Sequence, residues 1–219
     1  MKTKLAALVA AAALAGAPLA LARQATPEGA PKQITAAPAS MSPAQRTALL
    51  KEIAASMEKV KTASGRFDQL SPDASTATGS FAISRPGKVR FDYDAPSPLL
   101  IVANGTTVAM QDSELETTDR VPLGSTPLSL LLDDNLDFET EAEIVDVSQH
   151  GDKVEVTLRD PDGEMDGLLT LQFSGPAHDL TGWRTTDSAG NLTQVKLHEV
   201  ETGKKINPRL FIVKDFDDE

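Results

Sequence analysis

Apolar and polar residues alternate through GSFAISRPGKVRFDYDAP, residues 79–96. Phe81 and Ile83, then Val89, Phe91 and Tyr93, hold the odd positions. Ser80, Ala82, Ser84, Lys88, Arg90, Asp92 and Asp94 hold the even ones. A period of two marks a half-buried strand, and Arg85-Pro86-Gly87 separates two such runs. Proline fixes φ and glycine accepts φ > 0, so Pro86-Gly87 suits the centre of a type II turn. The stretch predicts a hairpin with its aromatic side chains on one face and an arginine at the hinge.

The pattern recurs. LLIVANGTTVAM, residues 99–110, turns at Asn104-Gly105, a strong hairpin signal. VEVTLRDPDGEMDGLLTLQF, residues 154–173, turns around Asp162-Gly163, and GWRTTDSAGNLTQVKLHEV, residues 182–200, around Gly190-Asn191. Evenly spaced hairpins without strand–helix–strand alternation predict an antiparallel barrel or a strongly curved sheet. Phe81, Ile83, Val89, Phe91, Tyr93, Leu100, Val102, Val108 and Met110 are candidates for its concave face. Periodicity alone favours reading them as ordinary core.

Two segments follow a helical period instead. Ser42-Pro43-Ala44-Gln45 offers an N-cap serine, a proline at the first helical position and glutamine three residues on, a capping box. Leu49, Ile53, Met57 and Val60 then recur at helical spacing until Gly65, predicting one amphipathic helix. In PLGSTPLSLLLDDN, residues 122–135, Thr126 is placed to N-cap and Pro127 to start a short helix carrying Leu128, Leu130, Leu131 and Leu132. A helix apolar nearly all round cannot face water; this one is expected to plug something.

The first residues read as a leader. Lys2 and Lys4 precede the apolar run Leu5 to Leu14, and Ala20-Leu21-Ala22 supplies the small-x-small cleavage pattern of a secretory signal peptide over residues 1–22. Residues 23–40 are rich in Ala and Pro and read as a flexible linker, with the folded domain over 41–219. Export of a soluble chain is the expectation. The sequence holds no cysteine, which excludes disulfides, thiol catalysis, cysteine-ligated zinc and lipid modification of a cysteine. Without residues 1–22 the charge is −13, from 19 basic and 32 acidic residues. No basic stripe appears, so nucleic acid is not an expected partner, and like charge disfavours an anionic membrane surface.

Catalytic motifs are scarce. His150, His178 and His198 lack metal-ligand spacing, and no nucleophile elbow, phosphate-binding loop or dinucleotide fingerprint is present. No cofactor is implied. Ser56-Met57-Glu58-Lys59 matches the S-x-x-K of penicillin-binding enzymes without its companion motifs. Asp160-Pro161-Asp162-Gly163-Glu164-Met165-Asp166 misplaces the glycine and final glutamate of a calcium loop and reads as an acidic hairpin turn.

One ordered set of residues carries more. Phe67 and Gln69 are followed by Gly79, Phe81, Arg85-Pro86-Gly87, Arg90-Phe91, Tyr93 and Pro96. Ile101-Val102 and Asn104-Gly105 come next, then Thr126-Pro127-Leu128 and Leu131-Leu132. In this order they resemble the periplasmic outer-membrane lipoprotein carrier family, LolA, strongly over about residues 45–135. The resemblance implies a mainly β fold with some α: an unclosed antiparallel β-barrel whose short helices form a lid over an apolar cavity. It implies a monomeric, non-enzymatic periplasmic carrier. Such a carrier takes acyl chains of lipoproteins from an inner-membrane ABC transporter to an outer-membrane receptor. It also implies that Phe81, Ile83, Val89, Phe91, Tyr93, Val102 and Val108 form the cavity wall, and Leu128, Leu131 and Leu132 its lid. Arg85 is then the latch, bonding helix carbonyls. Aromatics are sparser than in better-known members, with Trp183 the one tryptophan. The tail KDFDDE leaves the family's C-terminal element unassigned. The receptor shares the fold but is anchored through cysteine, which this chain lacks. Two other readings remain open: a carrier or sensor of another amphiphile, such as a glycolipid or fatty acid, and a serine-type envelope hydrolase using Ser56 and Lys59.

Overall fold

The computed structural model describes residues 41–134, 138, 142–160 and 167–216. The proposed signal peptide, the linker and most of the acidic turn lie outside these residues. Helix α1 spans Pro43–Lys59. Its start follows from the sequence: the Ser42 side chain accepts from the Gln45 N–H at 3.4 Å, and Gln45 Oε1 accepts from the Ser42 N–H at 3.0 Å. Leu49, Leu50, Ile53 and Met57 form its buried stripe. The helix ends well before Gly65, which sits inside the first strand, β1 (Thr62–Leu70). The glycine is needed there for a different reason. A Cβ at Gly65 would lie 2.8 Å from the His198 carbonyl oxygen and 2.9 Å from that of Glu199.

Among the described residues ten more strands follow: β2 (Thr76–Ser84), β3 (Lys88–Tyr93), β4 (Leu99–Asn104), β5 (Thr107–Asp112), β6 (Thr117–Pro122), β7 (Glu143–His150), β8 (Lys153–Arg159), β9 (Leu168–Ser174), β10 (Asp179–Thr186) and β11 (Leu192–Thr202). They form one antiparallel sheet in the order β6-β5-β4-β3-β2-β1-β11-β10-β9-β8-β7. The end strands β6 and β7 do not pair, so the barrel is unclosed, as the resemblance implied. Between these two edges the chain carries a 3-10 turn, Leu123–Ser125, and helix α2, Leu128–Leu132. The connection that links the edges thus holds the leucine helix.

Register decides which residues look inward, because directly paired residues share a face. Phe81 pairs with Phe91, Phe91 with Ile101, and Ile101 with Met110; Ile83 pairs with Val89, Val89 with Ala103, and Ala103 with Val108. These rows pack with α1, α2 and the alternating residues of β8 and β9 in one core. Val102 does not belong to them. It pairs with Arg90 and Ala109 and faces the outer side of the sheet, so its placement on the cavity wall is corrected. β4 is apolar on both faces, so alternation gave no parity there and the antiparallel register sets it. Phe211 of the 3-10 turn Pro208–Phe211 covers that outer face, bordering a cavity of about 290 Å³ with Val102 and Ala109.

The strands the hairpin pattern did not predict are polar or peripheral. TASGRFDQL of β1 is held between β2 and β11 by register, while TTDRVP of β6 and EIVDVSQH of β7 are edges with much exposed surface. α2 also begins one residue later than expected. Pro127 occupies the N-cap, and Thr126 Oγ1 donates instead to the Leu123 carbonyl at 2.8 Å.

Candidate functional site

The inner face of β1–β5 carries an aromatic cluster. The Phe67 ring lies 5.4 Å from Phe91 and 5.0 Å from Tyr93, both edge-on, and Phe91 is 5.9 Å from Trp183. Phe81 stands 6.4 Å from Phe91. Tyr93 donates its hydroxyl to Gln69 Oε1 at 2.7 Å, and burial pushes its phenol above the ordinary range. This bond satisfies a polar atom at the far end of an otherwise apolar surface. Gly79, opposite Tyr93 in register, lets the Phe67 ring approach: a Cβ there would meet the ring at 2.5 Å.

Leu128, Leu131 and Leu132 of α2 are buried in the same cluster as Phe81, Ile83, Val89, Phe91 and Val108, with Tyr93 packed against it. The residues expected as wall and those expected as lid therefore meet, Val102 excepted. The side chains of both helices and of these strands pack together as one core.

Arg85 sits at the seam. Its Nη1 donates to the carbonyls of Met57 and Val60, the latter at 3.2 Å, and its Nη2 donates to the carbonyl of Leu131 at 2.9 Å. The neighbouring Gly87 N–H donates to the Leu132 carbonyl at 3.0 Å. The last carbonyls of a helix lack intrahelical partners. α2, five residues long, exposes such carbonyls toward the hinge of the β2–β3 hairpin. One planar guanidinium with several donors serves the ends of both helices. Burial pushes the Arg85 pKa down, and the charges of Asp133 and Asp134 oppose that shift. Gly87 holds φ +72, and a Cβ there would stand 2.8 Å from the Gly105 Cα, which keeps the hinge tight.

Beside Arg85 a cleft of about 350 Å³ opens between the C-terminal half of α1 and strands β1, β2, β10 and β11. A second groove, about 530 Å³, runs between α1 and β7 and is bordered by Leu49, Glu52, Val147 and His150. His178 borders both. The sequence singled out no cleft residue on β10 or β11, because Leu180, Leu197 and Val200 join this surface only through strand pairing. Ser56 donates its hydroxyl to the Ala177 carbonyl at 2.6 Å, fastening α1 to the β9–β10 turn. Among the described residues no group of three His, Cys, Asp or Glu is placed to hold a metal, and no helix is long and apolar enough to cross a membrane.

Known proteins are similar to this chain in sequence. The family model "Outer membrane lipoprotein carrier protein LolA" matches residues 58–214. The outer-membrane lipoprotein carrier protein of Methylococcus capsulatus is 31% identical over 150 residues, covering 67% of this chain and 71% of that protein. That of Chromohalobacter salexigens is 30% identical over 168 residues, covering 73% and 79%. Among solved structures, a LolA superfamily protein of Nitrosomonas europaea aligns with 76% of this chain and 98% of its own, at 9% identity and a TM-score of 0.42. The family model spans most of the chain and relatives of about this identity share the name, so the chain belongs to the outer membrane lipoprotein carrier family, LolA.

Proposed function

We propose that this protein carries lipoproteins across the periplasm with their acyl chains held against the inner face of β1–β5, under α1 and α2. The observation that carries the reading is Arg85, which ties the ends of both helices to the hinge of the aromatic hairpin. A part-buried guanidinium spent on helix carbonyls makes a reversible fastening, since bonds to a charged group are worth about 1.5–3 kcal/mol each and burying the charge offsets part of that. Each methylene buried in a membrane is worth about 0.8 kcal/mol, so acyl anchors do not leave a bilayer unaided at useful rates. A soluble carrier must offer an equally apolar wall and hide it when empty. In this reading Phe81, Ile83, Val89, Phe91, Tyr93 and Val108 are the wall. Leu128, Leu131 and Leu132 fill the space until cargo displaces them. The donor would be an inner-membrane lipoprotein-releasing ABC transporter, and the acceptor an outer-membrane receptor.

The test is release from membranes. Spheroplasts labelled with radioactive palmitate are incubated with the purified protein, and the supernatant is examined for labelled lipoprotein. The expected result is labelled lipoprotein in a soluble complex with this chain. Label that stays in the membrane, or appears only as free lipid, would contradict the reading.

A further inference from the structure

After β11 the chain crosses the outer face of the sheet as a strap, residues 203–216. Its Gly203 N–H donates to the Thr62 carbonyl of β1 at 3.0 Å. Farther on, Arg90 Nη1 of β3 donates to the Leu210 carbonyl at 3.2 Å, and Gln111 Nε2 of β5 to the Lys214 carbonyl at 2.8 Å. Arg120 of β6 pairs with Asp215 at 2.6 Å, and the buried Phe211 pins the middle. What the strap turns outward differs from the rest of the surface. Of the eight exposed large apolar residues among the described ones, three lie on it: Leu210, Ile212 and Phe216, with Ile212 63% exposed. Scattered exposed apolar residues need no explanation, but these stand beside Lys204, Lys205, Arg209 and Lys214, all exposed. Lys88 borders the cavity beneath the strap together with Ile212. Among the described residues Lys88, Lys205, Arg209 and Lys214 make no ion pair. Three carboxylates beside the strap are already paired, Asp92 with Arg90, Asp215 with Arg120 and Glu201 with Lys204, each at 2.6 Å.

We propose that this strap is an attachment site for an anionic phospholipid surface. Leu210, Ile212 and Phe216 enter the headgroup region, and Lys88, Lys205, Arg209 and Lys214 face the lipid phosphates. Attachment in the interface needs both parts, apolar side chains that leave water and basic ones that meet the lipid charge. The charge of −13 without residues 1–22 opposes such a surface as a whole. Screening limits that repulsion to about 8 Å at physiological salt, so the cations of the strap set the local attraction. Each basic residue at an anionic surface strengthens attachment about fivefold. Asp217, Asp218 and Glu219 follow in the sequence, outside the described residues, and their charge keeps the attachment weak and reversible. The strap covers Val102 and Ala109 on the outer face, whereas α1 and α2 pack on the inner one. A protein held this way keeps its lid and Arg85 clear of the bilayer. The ligand is the lipid headgroup and not the cargo, so the inference stands apart from the carrier reading.

The test is sedimentation of the protein lacking residues 1–22 with vesicles of equal parts phosphatidylcholine and phosphatidylglycerol, beside vesicles of phosphatidylcholine alone. Binding to the mixed vesicles is expected, at least tenfold tighter than to the neutral ones and weakened by salt. Ile212→Ser should weaken it at least fivefold, and Lys205→Gln with Arg209→Gln at least tenfold, both with the melting temperature unchanged. Lys51→Gln with Lys153→Gln removes the same charge from α1 and β8 and should leave binding within twofold. Lid state is read from maleimide labelling of Leu132→Cys, a position 0% exposed in a chain with no other thiol. Vesicles should leave its rate unchanged. No binding, equal binding to both vesicles, equal loss from both lysine and arginine pairs, or indifference to Ile212→Ser would each overturn the proposal. Labelling that rises with vesicles would put the lid on the bilayer and overturn it too. Two other occupants would show themselves in a protein that ignores vesicles. Poly-glutamate binding lost in Lys205→Gln with Arg209→Gln would assign the strap to an acidic protein, and a dimer dispersed by Ile212→Ser to a second copy of this chain.

Discussion

Replacing Arg85 with leucine removes three donors from the carbonyls of Met57, Val60 and Leu131. Hydrogen bonds to a charged group contribute about 1.5–3 kcal/mol each. Burying the guanidinium offsets part of this, as its depressed pKa indicates. A net bias of about 1–3 kcal/mol toward the closed state remains, equal to about 5–150-fold in the closed–open ratio. If about 1% of the empty protein is open, Arg85→Leu should raise that to between roughly 5% and 60% by the same arithmetic. The carbonyls it abandons find water only in the open state, which adds to the bias. With Leu132→Cys as probe, labelling should accelerate at least fivefold, and binding of a hydrophobic dye should rise, with far-ultraviolet dichroism unchanged. Cargo loading should persist, because Phe81, Phe91 and Tyr93 remain. Unloading should slow, because reclosure no longer helps expel the chains, so lipoprotein should accumulate on the variant. An exposed turn arginine would change stability by less than about 0.5 kcal/mol. Labelling rates within twofold of each other, together with equal release of lipoprotein to outer-membrane acceptor, would refute the latch.

Leu131→Glu should impair cargo acceptance more than folding, since a lid can swing the carboxylate into water; unfolding of the variant in urea that wild type survives would show that α2 is fixed core. Gly79→Ala should destabilise the fold by about 3 kcal/mol, because the new Cβ would stand 2.2 Å from the Asp92 carbonyl oxygen and 2.5 Å from the Phe67 ring; an unchanged denaturation midpoint would contradict the packing described. Hydrogen bonds from Arg66 and Thr78 hold the Asp94 carboxyl below its ordinary value of 3.8. A depressed folded pKa gives stability that is present above the unfolded value and lost as pH falls through the folded one. Asp94→Asn should therefore flatten the loss of stability below about pH 4, and an acid limb identical to wild type in urea titrations would remove Asp94 from the cause.

Much of this was legible because local chemistry and tertiary structure agree. The capping box at Ser42, the alternation through Phe81–Tyr93 and the turn signals at Gly87 and Gly105 act within a few residues of themselves. They appear where the sequence placed them. The ordered set of residues from Phe67 to Leu132 carried the family, and the role of Arg85 came with that resemblance, because a turn arginine read by itself is a solvated charge. What failed was set by long-range pairing. Gly65 looked like a helix stop, and its real constraint is the His198 and Glu199 carbonyls of a strand more than 130 residues away. Val102 was put on the wrong face because LLIVA is apolar in both parities, and the outer parity is covered by Phe211 from the other end of the chain. β1 lacks a clean alternation and becomes a strand through β2 and β11. The cleft was invisible for the same reason: Ser56, Leu180 and Val200 come from three elements that share no sequence pattern.

In the proposed reading, the apolar wall under α1 and α2 holds the acyl chains of lipoproteins. Native mass spectrometry of the protein, taken gently from the periplasm without detergent, tests it most directly. The expected result is a population whose mass equals one mature chain plus one acylated lipoprotein, enriched by Arg85→Leu and dissociating to the two components on activation. Wild type and Arg85→Leu both appearing only as the bare chain, or bound only to small lipids with no lipoprotein, would contradict it.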